Sequence, residues 1–380
     1  AISRKNDGIN KKIIVTGCLA ERYQKQMDEE FPEIDAVVGI AKNDDIVEII
    51  NSVMLDRRVV TFGDKLCHNM EGDKLQSTLP HYAYLRIADG CSNKCSYCAI
   101  PLIRGKMRSR KMENIIEEAK KFAENGVKEL VIVAQDVTAY GIDLYKKYAL
   151  PDLLKELCKI DGIKWIRLLY CYPERMTDEL IETIKTEDKV LNYIDIPIQH
   201  CNKEILRNMY RGGDEQSLRE LFAKLRREIP GVVLRTTLIT GFPGETEEQF
   251  SELAEFVNDI KFERLGCFAY SAEEDTPAAE MPDQVDEGER QRRADIITSE
   301  QEIRMGEYYA GMVGNTYEVV CEGFDRYSDM YFGRSMHFAP EIDGMIYFTS
   351  AKDKSSLTIG DFVNVKITDV LENNLLGERV

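Results

Sequence analysis

From residue 82 to about 310 the chain alternates six times between a short apolar run and an amphipathic one, and this repeat restricts the fold more than any other feature. The apolar runs lie at 84–87, 130–134, 166–170, 193–196, 233–239 and 265–269. Amphipathic stretches follow at 113–125, 151–160, 178–185, 203–210, 214–228 and 247–259. Strands separated by helices pair in parallel, because each crossover returns the chain to the same edge of the sheet. Six units rather than eight predict an α/β fold built on a partial (β/α)6 barrel, whose open side admits a large substrate.

Barrels of this kind place their chemistry at the carboxyl ends of the strands. Directly after the first strand, beyond Asp89-Gly90, stand Cys91, Cys95 and Cys98 in C-x3-C-x2-C spacing, with Tyr97 before the last. Three thiolates on one short loop can hold three irons of a [4Fe–4S] cube and leave the fourth iron open to a cofactor. Structural zinc is the rival reading. It asks for four closed ligands, commonly in C-x2-C pairs, and the chain's four histidines are His68, His81, His200 and His337.

The other strand ends are polar or glycine-rich: Gln135-Asp136, Cys171-Tyr172-Pro173-Glu174, 197–201, 241–246 and Tyr270-Ser271. Gln135 and Asp136 offer acceptors for an ammonium group. Gly241 and Gly244 would let the backbone approach a ligand without a Cβ in the way. Glu245, ahead of Thr246-Glu247, reads equally as a helix start or a ligand contact. His200 reads as a proton carrier or a satisfied structural residue. The basic run Arg104, Lys106, Arg108, Arg110 and Lys111 is either an anion contact or a solvated face. Cys158, Cys171, Cys201, Cys267 and Cys321 lack ligand spacing and read as core or free thiols.

Residues 1–62 alternate strand (12–16, 36–39, 58–62) with helix (20–31, 44–55), a small α/β domain. Cys18 ends its first strand, a place where open α/β sheets hold ligands, although a single cysteine there is more often structural. Residues 63–80 are polar and aperiodic, a linker in which Cys67-His68 is incidental. A long charged helix (284–311) closes the barrel domain, 81–312. Residues 313–380 carry short alternating runs at 316–321, 330–335, 345–348 and 362–370, which predict a small antiparallel β-barrel. That segment holds eleven acids against six bases, and the whole chain carries a net charge of −17. Phosphate binding depends on lysine and arginine, so this balance argues against direct RNA binding and favours a cationic protein partner. Ten scattered or clustered cysteines indicate metal in a reducing compartment, and no apolar run reaches membrane-spanning length, so a cytoplasmic protein is expected.

Three segments together, VTGCLAERY, ADGCSNKCSYCAIP and TGFPGET, followed by a small terminal barrel, resemble the methylthiotransferase branch of the radical S-adenosylmethionine (SAM) superfamily. The resemblance spans essentially the whole chain and implies a radical SAM barrel followed by a TRAM-like barrel. It implies one [4Fe–4S] cluster on Cys91, Cys95 and Cys98, with SAM on the open iron. Tyr97, Gln135, Asp136, Gly241, Gly244 and Glu245 are then the candidate SAM contacts. A second [4Fe–4S] cluster is held in this branch by three cysteines, of which Cys18 matches the last. The other two have no counterpart here and would lie upstream of Ala1, as in a truncated chain. AQDVTAYGID, RLLYCYP and IDIPIQHCNKEILRNMYRG resemble the group that modifies the β-carbon of an aspartate in a small-subunit ribosomal protein. Two uses of SAM are implied, a methyl transfer to sulfur and a radical abstraction, with an external electron donor. The expected partner is that basic ribosomal protein, on the ribosome, docked by the acidic terminal barrel. The alternatives are a transfer RNA adenosine methylthiotransferase and a metal-bound ribosome adaptor without catalysis.

Overall fold

The protein is described here by a computed structural model covering residues 1–67, 69–72, 75–349 and 356–380. His68 of the linker lies outside the described residues. The chain divides into two compact units. One comprises 1–74, 89–94 and 98–108, the other 75–88, 95–97 and 109–380.

In the first unit β1 (Ile14–Thr16), β2 (Ala36–Val38) and β3 (Val59–Thr61) form a parallel sheet in the order β1-β2-β3. The central strand, Ala-Val-Val, is wholly buried because helices cover it, which is why it reads as continuous rather than alternating. Helix α1 (Cys18–Glu30) follows β1 and breaks at Gln24, whose φ is 30°. Helix α2 (Ile46–Met54) packs Ile49 and Val53 against Ala36 and Val38. Glu21 is buried where an apolar residue would be expected. Its carboxylate accepts the Ile40 amide at 2.9 Å and so satisfies the backbone at the end of β2.

The second unit opens with six parallel strands: β4 (Tyr82–Arg86), β5 (Glu129–Val133), β6 (Trp165–Leu168), β7 (Val190–Asp195), β8 (Val233–Thr240) and β9 (Arg264–Ala269). Their order is the order of the sequence, and β9 does not bond back to β4, so the barrel is open along one side. Between them run α3 (Met112–Glu124), α4 (Leu150–Cys158), α5 (Asp178–Thr186), α6 (Lys203–Asn208), α7 (Glu215–Glu228) and α8 (Glu247–Ile260). The starts are set by side-chain caps. Thr177, Asn202, Asp214 and Thr246 each accept a first-turn amide, and at Asp214 and Thr246 the cap is reciprocated by Ser217 and Gln249. Helix α9 (Glu287–Met312) begins at Asp286, whose side chain accepts the Gly288 amide.

Five strands then close into a small barrel: β10 (Thr316–Asp325), β11 (Met330–Ser335), β12 (Ile346–Thr349), β13 (Phe362–Leu371) and β14 (Asn374–Arg379), in the order β10-β11-β12-β14-β13. Four of these match the expected runs. β14 was not anticipated, because a two-residue Glu372-Asn373 turn joins it to β13. Glu372 takes φ 52° there, in a turn that lacks the usual glycine signal. The closing pair β12–β14 is parallel within an otherwise antiparallel barrel. Among the described residues no helix is long and apolar enough to cross a membrane.

The terminal barrel packs under the amino-terminal ends of the six strands, where charge is buried rather than apolar surface alone. Glu129, at the start of β5, is fully buried between Arg167 (2.7 Å) and Arg334 (2.8 Å). Arg334 also reaches Glu322 at 2.7 Å, and Glu322 lies 3.0 Å from His81 Nε2. The loop after β11 continues the seal. Asp343 accepts the Tyr193 hydroxyl (2.7 Å) and the Ala339 amide (2.8 Å), and Glu341 accepts the Tyr82 hydroxyl at 2.7 Å. Burial alone would raise the Glu129 carboxyl, but Arg334 and Arg167 outweigh it and bring it down to about 2. Its stabilising contribution is therefore complete above the ordinary value of 4.5 and drains away as pH falls toward 2. Glu129→Gln leaves two buried guanidiniums short of charge and is expected to cost about 3–5 kcal/mol. Urea unfolding across pH checks both points: the variant starts less stable and loses the part of the acid dependence that Glu129 carries.

Candidate active site

The carboxyl ends of β4–β9 form the rim opposite that floor. Ser96, between Cys95 and Tyr97, is fully buried and anchored three ways. Its hydroxyl donates to the Asn208 carbonyl (2.7 Å), its amide donates to the Met209 carbonyl (3.1 Å), and its carbonyl accepts the Ala278 amide (2.9 Å). These bonds fix Cys95 and Tyr97 on either side. Tyr97 lines a cavity of about 270 Å³ with Gln199, Thr237, Ile239, Phe268 and Tyr270. The Tyr270 hydroxyl is buried with no hydrogen-bond partner among the described residues.

Gln199 is a site residue that sequence reasoning missed. It sits at φ 71°, a conformation that costs a non-glycine residue energy and persists where the surroundings impose it. Here its amide donates to the Thr237 carbonyl and its carbonyl accepts the Ile239 amide, both at 2.9 Å, tying the end of β7 to β8. Tyr172 is the second such residue. Its hydroxyl stands 3.8 Å from Cys95 Sγ, and its ring carries the guanidiniums of Arg211 (4.2 Å) and Arg175 (4.7 Å). The sequence placed Tyr172 on the rim without a role.

The 241–246 loop resolves the two readings of Glu245. The helix cap is Thr246, while the Glu245 carboxylate is 4% exposed and taken up internally. It accepts the Gly241 amide at 3.0 Å and Arg293 Nη1 at 2.8 Å, and lies 3.6 Å from His200 Nε2. Burial pushes that carboxyl up, but His200, the Gly241 amide and Arg293 outweigh it and hold it below the ordinary value. His200 Nδ1 accepts the amides of Cys201 (3.0 Å) and Asn202 (2.9 Å), so the neutral ring carries its proton on Nε2, toward Glu245. Both residues hold the loop in place. Asp136 is likewise engaged: it caps a short turn at the Ala139 amide (3.2 Å) and pairs with Arg175 at 2.5 Å. Its neighbour Gln135 instead keeps a buried Oε1 without a hydrogen-bond partner among the described residues, as an acceptor awaiting a donor would.

Cys91, Cys98 and Cys18 belong to the first unit. The Cys91 amide donates to the Gly105 carbonyl at 3.1 Å. Gly90, at φ 78°, lets that turn close, since a Cβ there would stand 2.8 Å from the same carbonyl. Cys18 starts α1 and is exposed, and Arg104 Nη2 donates to its sulfur at 3.4 Å while Arg104 Nη1 pairs with Asp89 at 2.8 Å. The basic run is thus divided. Arg104 is used inside the first unit, Arg110 is buried against Glu118 in the second, and Lys106 and Lys111 are exposed. Cys91, Cys95 and Cys98 are all partly exposed thiols outside any disulfide, so the donor chemistry fits a three-thiolate cluster. Among the described residues no three His, Cys, Asp or Glu side chains are gathered as a bound metal ion would need. Of the remaining cysteines, Cys67 is exposed, Cys171, Cys201 and Cys321 are buried, and burial pushes the Cys158 and Cys267 thiols up to about 12.

An open six-stranded barrel, a C-x3-C-x2-C run after its first strand in the sequence and a small closed barrel after it define the radical SAM class with a TRAM domain. The family model of the radical SAM superfamily matches residues 85–257, and that of the TRAM domain matches 313–380. Ribosomal protein uS12 methylthiotransferase RimO of Caldanaerobacter subterraneus subsp. tengcongensis is 49% identical over 95% of this chain and 82% of its own length. Its counterpart in Clostridioides difficile is 46% identical over 98% of this chain and 84% of its own. The chain belongs to the RimO family of methylthiotransferases. Among solved structures, the radical SAM methyltransferase TsrM of Kitasatospora setae, with tryptophan and a SAM analogue, superposes with a TM-score of 0.56 at 14% identity. That match covers 73% of this chain and 59% of TsrM, and it is a likeness of fold.

The two rim glycines separate steric from conformational cost. A Cβ at Gly241 would collide with the Arg290 side chain, 2.7 Å from its Cβ, and the residue has φ 67°. Gly244 has φ 82° but nothing within 4 Å. Gly241→Ala is expected to lose about 2–4 kcal/mol, and Gly244→Ala only the left-handed backbone cost of about 1–2 kcal/mol, by thermal unfolding.

Proposed function

We propose that this chain, as a radical SAM methylthiotransferase, adds a methylthio group to the β-carbon of an aspartate in ribosomal protein uS12. The observation that carries the reading is the C-x3-C-x2-C spacing of Cys91, Cys95 and Cys98, with Tyr97 lining a cavity, in a chain of the RimO family. Cys91, Cys95 and Cys98 would hold a [4Fe–4S] cluster. With SAM bound, that group supplies one-electron cleavage chemistry and a carbon-centred radical. The chain's own residues bind and orient. Ser96 fixes the register of the loop, Tyr97 forms one wall of the cavity, and Gln135 offers its unpartnered carbonyl as an acceptor for the SAM ammonium. Gly241, Gly244 and Glu245 shape the loop at the end of β8, with Glu245 acting through Gly241, Arg293 and His200 rather than on the ligand. Asp136 acts in the same indirect way, through Arg175.

Cys18 would be one ligand of a second [4Fe–4S] cluster, the route by which sulfur enters, with Arg104 donating to its sulfur. The domain divisions proposed are 1–62, 63–80, 81–312 and 313–380. The terminal barrel would dock the substrate. Glu318, Asp329, Asp361, Asp369, Glu372 and Glu378 are exposed on it, an acidic surface suited to a basic ribosomal protein. An external electron donor and a cytoplasmic setting complete the proposal.

Anaerobically reconstituted protein given SAM, reductant and uS12 is expected to form 5′-deoxyadenosine and a methylthio mass increase on one aspartate. Cys95→Ala should abolish both. Modification of transfer RNA in the same assay, with affinity falling steeply as salt rises, would reassign the substrate.

A further inference from the structure

Arg211 is a buried charge that the proposed chemistry leaves unused. It is 8% exposed, and among the described residues its hydrogen bonds run to the Pro197 carbonyl (2.7 Å) and the Tyr97 hydroxyl (3.5 Å), with no carboxylate in salt-bridge range. Glu174 acts on this buried guanidinium only from beyond salt-bridge range, and a guanidinium out of water without a close counter-anion is costly, so a nearer anion is expected within its reach. The neighbours indicate which one. Arg211 stacks at 4.2 Å over Tyr172, whose hydroxyl is 3.8 Å from Cys95 Sγ. A second guanidinium, Arg175, holds the Tyr172 ring at 4.7 Å and is itself neutralised by Asp136. Tyr172 thus stands between the Cys95 thiol and a cation with no carboxylate in salt-bridge range among the described residues.

We infer that Tyr172 and Arg211 are positioning residues that tune the cluster Cys95 would ligate: Tyr172 donates a hydrogen bond to the Cys95 sulfur, and Arg211 is the counter-charge to the thiolate-held group. Hydrogen bonds to cluster sulfurs and nearby positive charge both favour the form carrying one more electron. The electron comes from the external donor, and neither residue is oxidised or reduced. This rests on Cys95 being a cluster ligand.

The test is a potentiometric titration of the reconstituted full chain, following the electron paramagnetic resonance signal that changes on adding SAM. Tyr172→Phe keeps the ring under both guanidiniums and removes only the hydroxyl. It is expected to retain iron and sulfide while its reduced-to-oxidised ratio at fixed potential falls about tenfold, a shift of about 59 mV for a one-electron couple. Arg211→Met is expected to fall at least as far, and Arg211→Lys to recover part of the loss. An unchanged potential in Tyr172→Phe and Arg211→Met overturns the inference. So does loss of iron from Tyr172→Phe, since the hydroxyl would then be needed to hold the cluster rather than tune it. A native chain that takes up no iron, or Cys95→Ala that keeps the SAM-sensitive signal, overturns the cluster reading itself.

Discussion

Glu129 stands between two arginines at the start of a parallel strand, fully buried. A lone carboxylate in that position would not remain ionised, and without it Arg167 would lose its carboxylate partner and Arg334 would keep only Glu322. Each is stable only because the others are present. Arg167 comes from the next strand of the large barrel and Arg334 from the small one, so this one cluster fixes the two layers of the second unit in register. Apolar packing such as Trp165 edge-on to Phe362 at 4.8 Å fills the joint, but packing of that kind tolerates slippage that a buried ion triad does not.

That arrangement frees the other end of the strands for chemistry. With the floor sealed by Asp343 and Glu341 on tyrosine hydroxyls, the rim carries two buried polar groups without a hydrogen-bond partner among the described residues, the Gln135 carbonyl and the Tyr270 hydroxyl. Such groups are expensive in a folded protein, and Tyr270 lines the same cavity as Tyr97.

The repeat of strand and helix was legible because parallel strands buried on both faces read as unbroken apolar runs, and because Thr177, Asn202, Asp214 and Thr246 announce the helices. The cysteine spacing was legible because three thiols in eight residues have few structural uses. What escaped were residues whose meaning is tertiary. Tyr172 and Arg211 are 39 positions apart and meet only through the barrel. Gln199 has a backbone angle that no side-chain pattern encodes. Glu245 appeared to be a cap or a ligand contact because Arg293, on α9, is invisible from the loop's own sequence. β14 was lost for the converse reason, a turn without the residues that usually mark one.

The small barrel meets the large one at the amino-terminal ends of strands that are four to eight residues long. At about 3.3 Å per residue, that sets it roughly 15–25 Å from the rim. The strands thereby act as a ruler. The small barrel and the cavity lined by Tyr97 are thus held one strand length apart, whatever occupies either.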